Sequence, residues 1–426
     1  VVHLHRRAGF AASWAEIERD LKEGPDASID RVLAGRSRIG AGGDFEPTAS
    51  LLADAAVASN DLNRLRASWI FRMLWSPDPL GERLTLLWHD HFATAQSKVE
   101  DLGLMRRQND SFRRFARAPF GDLLNASLRE PALLLYLDAP NNRKDHPNEN
   151  LARELMELFT LGIGHFTEAD VKDAARALTG WTVDDGAFLE SASKHDDGEK
   201  TLLGHKGRFS ARDLLSILID LPATARRLAS RLCSVFMGER AIDNAGIAAL
   251  ADILRGNKLD IGKTVATVLQ SRAFFAEENI GTRVIGPVEF VIGACCALAP
   301  RPLLPSTLLL ADWTSRLGQE LFEPPNVGGW PGGRAWLTPR ALVGRANFAA
   351  SFVEGRPVGL PGPLDAAALA CDQGLSTSAD GVRAAASSLL LGVNPKLGRP
   401  VANGGTPDEA RQALASILAS PEAQLG

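Results

Sequence analysis

A chain of 426 residues exceeds what one hydrophobic core usually fills, so two lobes or one large helical array are expected. Hydrophobic residues make up 45% of it, enough for a sizeable core, yet no run of about 18 apolar residues is present to span a membrane. The formal net charge of -4 excludes a global basic field, so neither nucleic acid nor an anionic membrane surface is an expected partner.

Along the chain, helix starts recur. Ser13 with Glu16, Thr167 with Asp170, Ser210 with Asp213 and Thr406 with Glu409 each have capping-box spacing, and Thr338-Pro339 adds a start with proline at the first helical position. Alanine and leucine dominate and there is one tyrosine, which favours helix over sheet. The predicted fold is all-α, a large multi-helix array. A Gly-rich break at Ala41 to Asp44 and a Pro/Gly-rich stretch from Arg356 to Pro363 suggest three parts. These are an N-terminal helical pair (1–45), a main helical lobe carrying the motifs (46–355) and a C-terminal helical appendage (356–426). The arginine pairs Arg6-Arg7, Arg106-Arg107, Arg113-Arg114 and Arg226-Arg227 read as solvated helix faces. Cys233, Cys295 and Cys296 lie in apolar helical contexts, as buried free thiols do.

One local departure from helix is expected near 181–209. Asp185-Gly186 sits between short extended runs that begin at Trp181 and end at Leu189, which predicts a small β-hairpin followed by an irregular loop.

The first polar motif is Trp88-His89-Asp90-His91-Phe92. On a helix, Leu84, Leu87, Trp88, His91 and Phe92 share a face, so His91 should point inward and His89 away. In extended structure the two imidazoles could instead supply two metal ligands, which makes His89 and His91 candidates for a divalent metal. The second motif is Pro147 to Leu155. Asn148 can cap the helix there, Glu149 and Arg153 can pair four residues apart, and Leu151, Leu155 and Leu158 form a core stripe beside Phe159. Glu154 falls at the border of that stripe. It is the carboxylate most prone to partial desolvation and a raised pKa, and hence a candidate general acid or base; an arginine partner is the structural alternative.

Further on, Thr179-Gly180-Trp181 ends a helix on an aromatic residue, and the loop from His195 to Thr201 joins an imidazole to two adjacent carboxylates. His195 and Asp196 are acid/base candidates there, and Lys200 offers a cation to an anionic group. Asn148, Asn150, Arg153, Trp181, Lys200 and Trp330 are the candidate substrate-binding residues, Trp330 because it follows the rigid Pro324-Pro325-Asn326-Val327-Gly328-Gly329 loop. No phosphate-binding glycine loop, dinucleotide fingerprint, His-Glu-x-x-His or Gly-x-Ser-x-Gly is present, which disfavours nucleotide-dependent, zincin and α/β-hydrolase chemistry.

Taken in order, His3-Leu4-His5-Arg6-Arg7-Ala8-Gly9-Phe10, Trp88 to Phe92, Asn148 to Leu155, Thr179 to Trp181, His195 to Thr201 and Pro325 to Trp330 resemble the mostly bacterial domain-of-unknown-function family numbered eighteen hundred, over about residues 3 to 350. In many relatives Asn lies between the paired histidines, where this chain has Asp90. The resemblance implies a mostly helical protein, export to the periplasm or beyond, and a sulfatase-like partner protein encoded nearby. It carries no assigned activity. The residues themselves suggest a hydrolase acting on a glycan or similar polymer, with Glu154 as acid or base, Asp196 or Asp90 as second carboxylate and His195 assisting. The alternatives are a non-catalytic helical scaffold that docks the sulfatase-like partner, and a metal-binding module.

Overall fold

The computed structural model describes residues 1–40, 43–238, 242–299, 305–392 and 405–426. Residues 41 and 42 of the Gly-rich break lie outside that set. Among the described residues there are 22 α-helices and two small two-stranded sheets, so the fold is all-α as the composition predicts. The four capping boxes form at Ser13, Thr167, Ser210 and Thr406, and Thr338 caps its helix by accepting from the Ala341 N–H. Each satisfies amide groups that a helix start leaves unpaired, worth about 1 kcal/mol per cap. No helix among the described residues is long and apolar enough to cross a membrane.

Two apolar clusters organise the packing. One gathers side chains from Leu80 to Phe274 with Leu4, Ala8, Ile29 and Val32; the other joins Ala53 to Leu74 with Ile285 to Leu418, and includes Phe10 to Ile17. Helix Pro79–His91 lies between them, giving Leu80, Leu84, Leu87 and Trp88 to the first and Leu86 to the second. Only Asp90 of its thirteen residues escapes full burial. The terminal segments are built into this body: helix Val2–Ala8 packs on Ala379–Leu391 and on Pro222–Phe236. Apolar contact therefore runs across positions 45 and 355.

The expected hairpin forms, pairing Trp181–Asp184 with Ala187–Glu190. Asp185 and Gly186 both take positive φ (46° and 66°), the conformation of a type I′ turn. A second hairpin follows, pairing Lys200–Leu202 with His205–Gly207 around Leu203 and Gly204. It replaces part of the expected irregular loop. The helix beginning at Asn150 also departs from a simple periodicity. After Glu154 it widens into a π-helical turn, Leu155–Thr160, and the Thr160 hydroxyl donates to the Leu155 carbonyl at 2.6 Å. The wider turn shifts the phase, so Met156 is fully buried while Leu158 of the expected stripe is only partly so. Cys233, Cys295 and Cys296 are buried free thiols, and Cys371 is exposed.

Candidate functional site

The chemistry-bearing residues singled out in the sequence fall into separate local arrangements. In the loop after the first hairpin, Asp196 accepts from Arg176 Nε at 2.7 Å and from the Gly198 N–H at 2.8 Å. The Arg176 hydrogen bond is the main reason its carboxyl sits below the usual range. His195 Nδ1 lies 2.9 Å from the Thr179 carbonyl, and its Nε2 is 3.9 Å from Asp197. Lys200 is buried and donates to the carbonyls of Asp196 and Gly198, so it holds its own loop together. Trp181 is buried in edge contact with Phe188 at 5.3 Å, beneath Arg129. Gly180 must be glycine, because at φ +88° a Cβ would meet the Ser191 carbonyl at 2.5 Å.

The Asn148 to Glu154 segment forms another arrangement. The Asn148 side chain accepts from the Asn150 N–H at 2.9 Å, and Asn150 Nδ2 donates to Asp138 at 3.2 Å. Arg153 makes the expected pair with Glu149 (3.1 Å) and adds a bidentate one with Glu168 (2.7 and 2.8 Å). Glu154 differs from all of these. It is partly buried and has neither ion pair nor hydrogen bond among the described residues. Burial, then the Glu157 charge, raises its pKa, and it acts electrostatically on the half-buried hydroxyl of Tyr136. The expected desolvation is present; the arginine partner is not.

Both motif histidines are buried, His89 included, because helix Pro79–His91 is covered on every side. His89 Nε2 accepts from the Phe322 N–H at 3.2 Å, whereas His91 Nε2 lies 3.1 Å from the Phe159 carbonyl. Burial pushes His89 down to about 3, and burial with Arg231 and Arg227 nearby pushes His91 down as well. Both are neutral at ordinary pH. Among the described residues no three His, Cys, Asp or Glu side chains gather closely enough to hold a metal ion.

What the structure does assemble is a cavity of about 590 Å³ whose lining includes Arg83, Asp90, Arg231, Arg283, Glu289 and Arg334. Its construction follows from helical spacing. Arg83, Leu86, Leu87 and Asp90 stand at i, i+3, i+4 and i+7 on the central helix and so share one face. Arg231, Ser234 and Val235 repeat the spacing on helix Pro222–Phe236, and Gly286 with Glu289 begin helix Pro287–Leu298. Trp330 to Trp336 close the wall. Trp330 is both packing and lining: its ring lies 5.6 Å from that of His89, and its N–H donates to Asp90 Oδ1 at 2.8 Å. The other Asp90 oxygen meets Arg231 at 2.5 Å.

Glu289 organises the floor. It takes Arg283 in a bidentate pair at 2.6 and 2.9 Å, Arg83 at 2.7 Å, and the Gly286 N–H at 2.9 Å. Burial alone would raise its pKa; the two guanidinium charges and these hydrogen bonds outweigh burial and hold it well below the carboxylate range. Among the described residues positive charge is in excess here. Arg6, Arg7, Arg83, Arg283 and Arg345 all act electrostatically with the single Glu289 carboxylate. Arg7 is completely buried, contrary to the solvated face expected for the Arg6-Arg7 pair, and its Nε and Nη1 have no partner among the described residues. Burial, then Arg283, pushes its guanidinium down to about 8. Arg83 is 3% exposed with Nε unpaired, and Arg334 lines the mouth, exposed and without an ion pair among the described residues.

Sequence reading reached Asp90 and Trp330 but missed the arginines. A signal was available, since Arg83 and Arg231 interrupt leucine-rich helical faces where alanine would cost less.

A family model described as Protein of unknown function (DUF1800) matches residues 3–425, well past residue 350 where the recognisable motifs end. No curated protein and no solved structure matches the chain.

Proposed function

The chain belongs to that family of unknown function, and with no activity to inherit from it we propose that the protein binds an anionic ligand in the arginine-lined cavity. One observation carries the reading: among the described residues the buried guanidinium groups of Arg7, Arg83 and Arg345 gather around a single buried carboxylate, Glu289. Uncompensated buried charge costs several kcal/mol, and a bound anion offsets that cost. Arg83, Arg231, Arg283 and Arg334 are the contacting groups, Trp330 and Trp336 the walls, and Asp90 the residue that fixes both Arg231 and the Trp330 backbone. The test is thermal unfolding with phosphate or sulfate against chloride at matched ionic strength, which separates site binding from screening. Stabilisation by the oxyanions that is lost in Arg231→Ala supports the reading; equal effects of chloride refute it.

A second reading keeps hydrolysis of a glycan or similar polymer, with Glu154 as general acid. It is favoured by that carboxylate being unpaired, partly buried and raised in pKa. Asp196 serves it poorly as the second carboxylate, being held by Arg176. Loss of polymer cleavage in a well-folded Glu154→Gln protein would support it. Co-purification with a sulfatase-like partner would support the scaffold reading instead, which draws on the internal pairing of Arg153, Asp196 and Lys200.

A further inference from the structure

We infer that the group bound in this cavity is a phosphate dianion carried by a monoester, in preference to a sulfate ester or a carboxylate; the inference rests on the anion-binding reading above. Charge comes first. Among the described residues the walls carry four guanidinium groups, Arg83, Arg231, Arg283 and Arg334, against the carboxylates of Asp90 and Glu289, so two positive charges are left over. A phosphate monoester at neutral pH or above carries close to two negative charges and three acceptor oxygens, whereas a sulfate ester or a carboxylate carries one charge.

Geometry agrees. A carboxylate is matched by one planar guanidinium fork, and here Glu289 already occupies such a fork on Arg283. The four arginines come from four separate segments: helix Pro79–His91, helix Pro222–Phe236, the approach to Gly286 and the Gly333–Trp336 turn. Donors converging from several segments suit a tetrahedral group. Arg334 has no ion pair among the described residues, and Arg7 lies fully buried behind the floor. The volume, about 590 Å³, exceeds a bare phosphate several-fold, so the organic part of the ester fits beside Trp330 and Trp336.

The experiment is calorimetric titration of the full chain at matched ionic strength and about pH 8, where the ester's second pKa near 6 leaves it dianionic. Methyl phosphate, methyl sulfate and acetate are compared first; the two methyl esters have the same shape and differ in charge. Methyl phosphate should bind at least about tenfold more tightly than either monoanion. Arg334→Ala, an exposed position whose loss leaves the fold intact, should weaken methyl phosphate about tenfold and methyl sulfate less. Glucose 6-phosphate should bind more tightly than inorganic phosphate, because only the ester reaches the tryptophan wall. Equal binding of the two methyl esters, or no effect of Arg334→Ala, overturns the dianion and leaves anion binding standing. Inorganic phosphate matching glucose 6-phosphate overturns the ester. Absence of binding by every probe overturns the underlying reading as well.

Discussion

Glu289→Gln is the substitution that weighs the cavity's electrostatics most directly. Gln keeps the shape and can still accept from the Gly286 N–H, but it removes the charge that holds Arg283 at 2.6 and 2.9 Å and Arg83 at 2.7 Å. The site is 6% exposed, so water replaces little of what is lost. Removing one partner of a buried pair costs about 3–5 kcal/mol, a large share of the roughly 5–15 kcal/mol that keeps a protein folded. With a urea slope near 3 kcal/mol per molar, the midpoint should fall by roughly 1–2 M at unchanged slope. Phosphate should narrow the gap, since a bound anion takes over part of the missing charge. The acid limb gives a second readout. Because the folded carboxyl is held below its ordinary value of 4.5, its stabilisation is complete above that pH and is lost as pH falls below it. Glu289→Gln should lack that part of the acid limb. A variant within 1 kcal/mol of wild type, with an unchanged acid limb, would refute the argument that Glu289 neutralises the arginine floor.

Other substitutions separate site from scaffold. Gly329→Ala should destabilise by about 2 kcal/mol or more, because at φ +81° its Cβ would meet Asp90 Oδ1 at 2.3 Å and the Asp90 carbonyl at 2.5 Å; thermal unfolding and reduced anion affinity together check it. Asp196→Asn should cost about 1 kcal/mol and speed amide exchange across residues 195–207, through loss of the Arg176 pair. Unchanged exchange there would remove the structural role assigned to that carboxylate. Glu154→Gln should leave stability within about 0.5 kcal/mol or raise it slightly, since the folded pKa is raised and the ionised form is the disfavoured one. In wild type that small penalty sets in as pH rises through the ordinary carboxyl range, so the variant's advantage should be absent at low pH and present at pH 7. A clear loss of stability at pH 7 would reveal a partner for Glu154.

Much of the scaffold was legible because it rests on local chemistry. Ser13, Thr167, Ser210 and Thr406 announce helix starts through three-residue spacing, and Asp185-Gly186 announces its turn through backbone preference alone. What escaped depends on contacts distant in sequence. His89 was expected to face outward on an amphipathic helix, but helix Pro79–His91 is buried on all sides and no periodicity reveals that. Arg6-Arg7 looked like a solvated pair, and only the approach of Arg283, Glu289 and Asn279 shows why Arg7 is interior. Glu154, expected at the border of the apolar stripe, is partly buried, whereas the π turn just beyond it changes which neighbours are buried. The cavity itself joins residues from 83 to 336, a separation that motif reading does not bridge.

The most direct measurement is a crystal structure of the protein grown or soaked with tungstate, a heavy tetrahedral dianion visible by its anomalous scattering. A strong peak is expected inside the cavity, within hydrogen-bonding distance of two or more of Arg83, Arg231, Arg283 and Arg334. Tungstate bound elsewhere on the molecule, with the cavity holding only water, would contradict it.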